Sequence, residues 1–125
     1  VHGNQTLNTI YVTEDRPDSF LAKMGSDLGA QPGDTVCFGH THKPWTRVVG
    51  GLSFVNTGSV GRPKDGDPRS CYVVVSVDGE TTQPEFVRVA YDVDEAVRGI
   101  CASGLPDEFG EVLRSGGAVT ATTRS

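Results

Sequence analysis

The chain has no Cys-x-x-Cys pair, no long apolar run, no basic cluster and no internal repeat. Each absence sets aside a class of protein. The three cysteines, Cys37, Cys71 and Cys101, are odd in number and far apart, and each sits in an apolar context. Reduced, buried thiols in a cytoplasmic protein are the expectation. No segment reaches the roughly 18–20 apolar residues that cross a bilayer, and no signal peptide is visible, so no membrane partner is expected. With 16 acidic residues against 11 basic ones and a formal net charge of −5, the chain lacks the positive face of a nucleic-acid backbone binder. It opens Val1-His2-Gly3 without a methionine, as expected of a fragment or a processed chain.

What is present is turn-rich. Sixteen glycines and seven prolines in 125 residues, with 36% apolar residues, favour an α/β or β-rich chain over a helical bundle. Acids around Pro17 and the spacing of Phe20, Leu21, Met24 and Leu28 predict a helix over residues 17–29, closed by Gly29. Thr35 to Phe38 reads as a short strand. Two β-prone runs, 46–49 and 52–55, flank Gly50-Gly51 and predict a hairpin. Cys71 to Val77 is the strongest strand, and Asp78-Gly79 turns it back to a partner over 85–91. Asp92 with Glu95 three positions on predicts a capped helix that Gly104 ends. Pro106 opens a short last helix bearing Phe109, Val112 and Leu113. From residue 115 to 125 periodicity is lost, and a disordered tail is expected.

The stretch that bears chemistry is Val36-Cys37-Phe38-Gly39-His40-Thr41-His42-Lys43-Pro44. A strand alternates faces with period two, so His40 and His42 are expected on one side, at a strand end broken by glycine. Two neutral imidazoles aimed at one point look like part of a metal site. Two solvated histidines in a hairpin loop fit the pair equally well. The one other histidine, His2, also stands beside a glycine at an expected strand end. If the two strand ends are neighbours, three nitrogen donors share a site suited to Zn, Mn, Fe or Ni rather than Ca or Mg.

The order of segments resembles the C-terminal half of a calcineurin-like metallophosphoesterase, most of all the small bacterial and archaeal phosphodiesterase branch. That branch carries a strand-His-Gly segment, a Gly-His-Thr-His segment and an Asn-Pro-Gly-Ser segment. His2-Gly3 matches the first, Gly39-His40-Thr41-His42 the second and Asn56-Thr57-Gly58-Ser59 the third, with Thr57 where proline is usual. Arg62-Pro63-Lys64 also fits. The resemblance implies an α/β fold, a layered β-sandwich flanked by helices. Residues 1–114 would be its C-terminal portion, supplying one sheet and the helices on it. It implies hydrolysis of phosphoesters, as a phosphodiesterase or phosphatase, at a site of two divalent ions (Mn, Fe, Zn or Ni) about 3.5–4 Å apart. His2 and His40 would bind one ion and His42 the other. Asn56, Ser59 and Arg62 would line the phosphate approach, a solvated loop charge being the plain alternative for Arg62.

The family's first half supplies an Asp-x-His pair, a bridging Asp in a Gly-Asp segment, and a Gly-Asn-His segment whose histidine serves as the general acid. None is here: the chain has no Asp-x-His, and its Gly33-Asp34 and Gly66-Asp67 fall at turns the family does not use for metal. The catalytic acid is therefore expected outside the chain, which alone is expected to be inactive and to associate with its missing N-terminal segment or with itself. The alternative functions are a stand-alone histidine-based metal-binding or interaction module, and a structural fragment whose histidines bind nothing.

Overall fold

Local sequence sets the element boundaries. The computed structural model describes residues 1–79 and 81–119. Helix α1, Asp18–Asp27, starts after Pro17 and buries Leu21 and Met24 on one face. It ends in a Schellman turn: Gly29, at φ 74, donates to the Ser26 carbonyl, and Ala30 N–H donates to the Gly25 carbonyl at 2.9 Å. The helix is thus shorter than the expected 17–29, because Leu28 and Gly29 form its cap.

Strands β1 (Thr35–Phe38), β2 (Trp45–Val49) and β3 (Leu52–Asn56) form one sheet in the order β1-β3-β2. β2 and β3 are the hairpin expected across Gly50-Gly51, and both glycines take positive φ, 58 and 79, as a two-residue turn between twisted strands requires. β3 is central and buried at four of its five positions. It pairs parallel with β1 and antiparallel with β2, so Phe38, Asn56 and Trp45 form one row across the sheet. α1 covers this sheet over a core of Val12, Leu21, Met24, Val36, Phe38, Trp45, Leu52 and Phe54. Gly25 gives the close contact, since a Cβ there would stand 2.4 Å from Leu52 Cδ1.

A second sheet, β4 (Ser70–Asp78) with β5 (Thr81–Val89), is an antiparallel hairpin. The expectation of one sheet is corrected to two, because the charged loop over residues 61–69 parts the hairpin from β3. The connection also anchors the hairpin: Cys71 N–H donates to the carbonyl of Ser59, ahead of that loop, at 3.1 Å, and Arg88 on β5 pairs with Asp65 within it. β5 extends further toward the turn than the predicted run because its partner strand is nine residues long. The expected partner helix follows: α2, Val93–Ala102, is capped by the Asp92 carboxylate, which accepts from Glu95 N–H at 3.0 Å. α3, Glu108–Arg114, packs on α2, with Gly110 against Val97. Of the segment expected as a tail, residues 115–119 form turns, and Gly66 N–H donates to the Gly116 carbonyl at 2.9 Å. Residues 120–125 lie outside the described residues. The whole is an α/β arrangement of two sheets with flanking helices.

Candidate metal centre

Because β1 and β3 are parallel, the loops that follow them, 39–44 and 57–61, leave the sheet at the same end, where α/β sheets gather their ligands. The chain start joins them there. Val1 N donates to the Cys37 carbonyl and Gly39 N–H to the His2 carbonyl, both at 3.0 Å. This lays an extended segment, though not a ladder strand, along the free edge of β1. Gly3 then enters a turn so tight that a Cβ would stand 2.4 Å from the Leu7 carbonyl oxygen. The Asn4 side chain accepts from the Thr6 and Leu7 N–H groups inside it.

His2 and His40 meet as a result. His2 Nε2 lies 3.0 Å from His40 Nδ1, with the rings at 62°. The other His40 nitrogen, Nε2, is buried and has no hydrogen-bond partner. Tyr11 stacks on His40, the ring centroids 4.2 Å apart at 27°. Strand alternation does not place the histidines, because residues 39–44 have left the strand. His40 and His42 both take left-handed backbone, φ 71 and 63, a conformation that costs a non-glycine residue of order 1 kcal/mol or more. The loop is held in it from below. Asn56 is fully buried; its Nδ2 donates to Thr41 Oγ1 at 2.8 Å, and its Oδ1 accepts from Gly58 N–H at 2.9 Å.

His42 is oriented separately. Its Nδ1 lies 2.8 Å from the Arg62 carbonyl, and since a carbonyl only accepts, Nδ1 carries the proton and Nε2 the lone pair. A carbonyl bonded to the far ring nitrogen in this way commonly fixes the tautomer of a metal-ligating histidine. Burial lowers the His42 pKa; the Arg62 carbonyl bond opposes that, and the Lys64 and Arg62 charges add to it. The neutral, ligating form is favoured. The same Arg62 has its N–H held by Ser59 Oγ at 2.9 Å, so Ser59 shapes the loop, while the Arg62 guanidinium is exposed and has no ion pair among the described residues. Asn56, expected to line the phosphate approach, lies beneath the loop with its amide engaged.

The histidines fit part of a metal site. Two imidazole nitrogens face each other and a third histidine is held neutral, donors suited to Zn, Mn, Fe or Ni. Among the described residues no group of three or more His, Cys, Asp or Glu side chains comes together. The turn aspartates are occupied elsewhere: Asp34 accepts from Gln31 N–H at 2.8 Å, and Asp67 pairs with Arg69 at 2.7 Å. Sequence reasoning missed Tyr11 and Thr41. Tyr11 falls in a stretch without periodicity, and Thr41 is visible only once Asn56 is seen to be buried.

A pair of imidazoles, a glycine-flanked loop and a buried asparagine come together at this end of the sheet, and comparison with known proteins identifies the family. The sequence model of the calcineurin-like phosphoesterase superfamily domain matches residues 2–80. The chain belongs to this superfamily. A probable metallophosphoesterase of Methanothermobacter thermautotrophicus is 34% identical over 73 residues, 58% of this chain and 40% of that protein. An uncharacterized protein of Methanocaldococcus jannaschii is 31% identical over 96 residues, 65% of this chain and 39% of that protein. The crystal structure of a metallophosphoesterase from Sphaerobacter thermophilus superposes with a TM-score of 0.76 at 25% identity, covering 93% of this chain and 54% of that one. A hypothetical protein from Pyrococcus horikoshii shares the fold, with a TM-score of 0.77 at 21% identity over 96% of this chain and 46% of that one. The chain thus spans about two fifths of the length of the curated relatives it matches.

Proposed function

We propose that the chain is the C-terminal part of a metal-dependent phosphoester hydrolase, a phosphodiesterase or phosphatase, whose two-ion site is completed by a preceding segment. The observation that carries this reading is the approach of His2 Nε2 to His40 Nδ1 at 3.0 Å, inside the segment that matches the superfamily. His2 and His40 would hold one ion, and His42, its Nε2 lone pair left free by the Arg62 carbonyl, would hold the other. Bound divalent ions, Mn among the candidates, would polarise the phosphoryl oxygens and supply hydroxide at neutral pH. This chain's residues orient that machinery. Asn56 fixes the His40–His42 loop through Thr41, Ser59 fixes Arg62, and the Arg62 guanidinium draws the phosphate towards the histidines.

The carboxylates and the catalytic acid come from the completing segment. Supporting this are the two-fifths coverage of the curated relatives and the lack of a converging carboxylate among the described residues. The segment docks outside the Val1–His2 segment that lines β1, at a groove of ≈ 410 Å³ lined by Val1, Leu28, Thr35, Val36 and Cys37, where Thr35 Oγ1 is buried without a partner. Without it, that groove is covered by self-association. The protein acts in the cytoplasm, which the three free cysteines support. No helix among the described residues is long and apolar enough to cross a membrane.

The test is hydrolysis of bis(p-nitrophenyl) phosphate with Mn²⁺ by two proteins: this chain, and the reading frame extended upstream. The extended protein is expected to turn over, the chain alone not, and His42→Ala in the extended protein to lose activity. An upstream frame lacking Asp-x-His, Gly-Asp and Gly-Asn-His, or an extended protein inert with every divalent ion, overturns the reading. A stand-alone metal-binding module would instead bind one ion in this chain and hydrolyse nothing in either form.

A further inference from the structure

Beside the candidate metal centre, but apart from it, lies an apolar pocket of ≈ 370 Å³ lined by Gly61, Arg62, Ile100, Leu105, Phe109 and Leu113. Its volume falls in the range of small-molecule sites, about 300–1,000 Å³. Two walls come from α2 and α3, and the third is the loop that orients His42. Arg62 belongs to both places at once. Its carbonyl accepts a hydrogen bond from His42 Nδ1 at 2.8 Å, its N–H is held by Ser59, and the residue lines the pocket. The backbone of Arg62 is therefore fixed from two sides, while the guanidinium has no ion pair among the described residues. Next to it Gly61 opens the way, since a Cβ there would meet nothing within 4 Å.

We propose that this pocket receives the organic group of the phosphoester, an aryl or similarly flat apolar group, while Arg62 holds the phosphate between it and the histidines. The inference rests on the phosphoester-hydrolase reading and names its substrate class. Charge and shape argue for this occupant. An exposed guanidinium without an ion pair, on a residue that lines an apolar pocket, suits a ligand that is anionic at one end and apolar at the other. The four apolar residues all lie beyond residue 80, outside the segment that matches the superfamily. The histidine loops inside that segment carry the chemistry, and the added helices supply selectivity. Leu105 is 54% exposed, more apolar surface than a helix connection needs, and a bound ring would cover it.

The experiment compares phenylphosphonate, methylphosphonate and inorganic phosphate, none of which the protein can hydrolyse as an ester, by ¹H–¹⁵N chemical-shift titration. It is run without metal on this chain and on the upstream-extended protein. Phenylphosphonate is expected to move the amides of Gly61, Ile100, Leu105 and Phe109, and inorganic phosphate only those around Arg62. The preference for phenyl over methyl is expected to be at least roughly tenfold, the size of effect apolar pockets achieve. It should collapse in Leu105→Asn, an exposed position that folding tolerates, and in Gly61→Leu, which puts a side chain into the open space. Arg62→Gln should weaken all three ligands and leave the ratio. No phenyl preference, or a preference surviving both pocket variants, overturns the proposal, and so does loss of the phenyl-induced shifts in the extended protein, where the added segment would be the occupant. Hydrolysis by the extended protein without phenyl preference leaves the function standing and removes the pocket. Phenylphosphonate binding with no hydrolysis does the reverse.

Discussion

Replacing Asn56 by alanine tests whether the buried amide holds the histidine loop. Asn56 is fully buried, and its side chain joins the two loops at the end of the sheet through bonds of 2.8 Å to Thr41 Oγ1 and 2.9 Å from Gly58 N–H. Its approach to the Gly39 carbonyl, at 3.5 Å, is too long to add much. Asn56→Ala removes both short bonds; Thr41 Oγ1, in a residue 7% exposed, keeps only the Lys43 N–H at 3.2 Å and a long contact to the Lys43 carbonyl, and the half-buried Gly58 N–H loses its partner. The loss is about 1–3 kcal/mol. With a urea slope of about 1–3 kcal/mol/M, the unfolding midpoint should fall by roughly 0.3–3 M at unchanged slope. A double-mutant cycle with Thr41→Val should return a coupling of about 1 kcal/mol. A midpoint shift below about 0.3 M, or additive single mutants, would refute the clamp.

Three further outcomes follow from the geometry. Gly58→Ala should lower the melting temperature, because φ there is 71 and a Cβ would stand 3.1 Å from Cys71 Sγ and 3.2 Å from Pro44 Cβ; the backbone part alone costs about 1–2 kcal/mol, and an unchanged melting curve would contradict the reading. Asp67 has its pKa pushed down to about 2, chiefly by the hydrogen bond from the Arg69 side chain and then by that from the Arg69 backbone. Its folded pKa lies below the unfolded value, so its contribution is present above about pH 4 and is lost as pH falls towards 2; acid unfolding of Asp67→Asn should be shallower in that window, and an identical acid profile would count against the pairing. Tyr11→Leu removes the ring stacked 4.2 Å from His40. The stack is worth about 0.5–1.5 kcal/mol, so Zn²⁺ affinity by calorimetry should fall by roughly two- to tenfold, with His40 ring resonances displaced in the metal-free spectrum. Unchanged affinity and resonances would make Tyr11 a bystander.

Much of the fold was legible because short-range rules decide it. Gly29 marks the end of α1, Gly50-Gly51 the first hairpin, and Asp92 the start of α2, each through a local bond or a φ that only a few residues accept. Of the capping box only half forms, since Glu95 turns its carboxylate to Arg98 at 2.6 Å. The partition into two sheets was not legible, because strand pairing depends on where the charged loop carries the chain. At the site, the residue types in order pointed to the superfamily, but the reason for the placement of the histidines was misread. Period-two alternation does not apply to His40 and His42, which sit in left-handed backbone held by a buried asparagine. The family resemblance put Asn56 on the phosphate approach, whereas the fold buries it and commits its amide to the loop. Tyr11 carries no periodic signal and acquires a role only when the fold lays it against His40.

Metal stoichiometry tests the divided site most directly. Elemental analysis of the upstream-extended protein, after saturation with Mn²⁺ or Zn²⁺ and removal of free ions, should find about two ions per chain, as a two-metal hydrolase requires. His2→Ala or His40→Ala should remove one, and this chain alone should retain at most one. Two ions held by the 125 residues alone, or none held by the extended protein, would contradict the account.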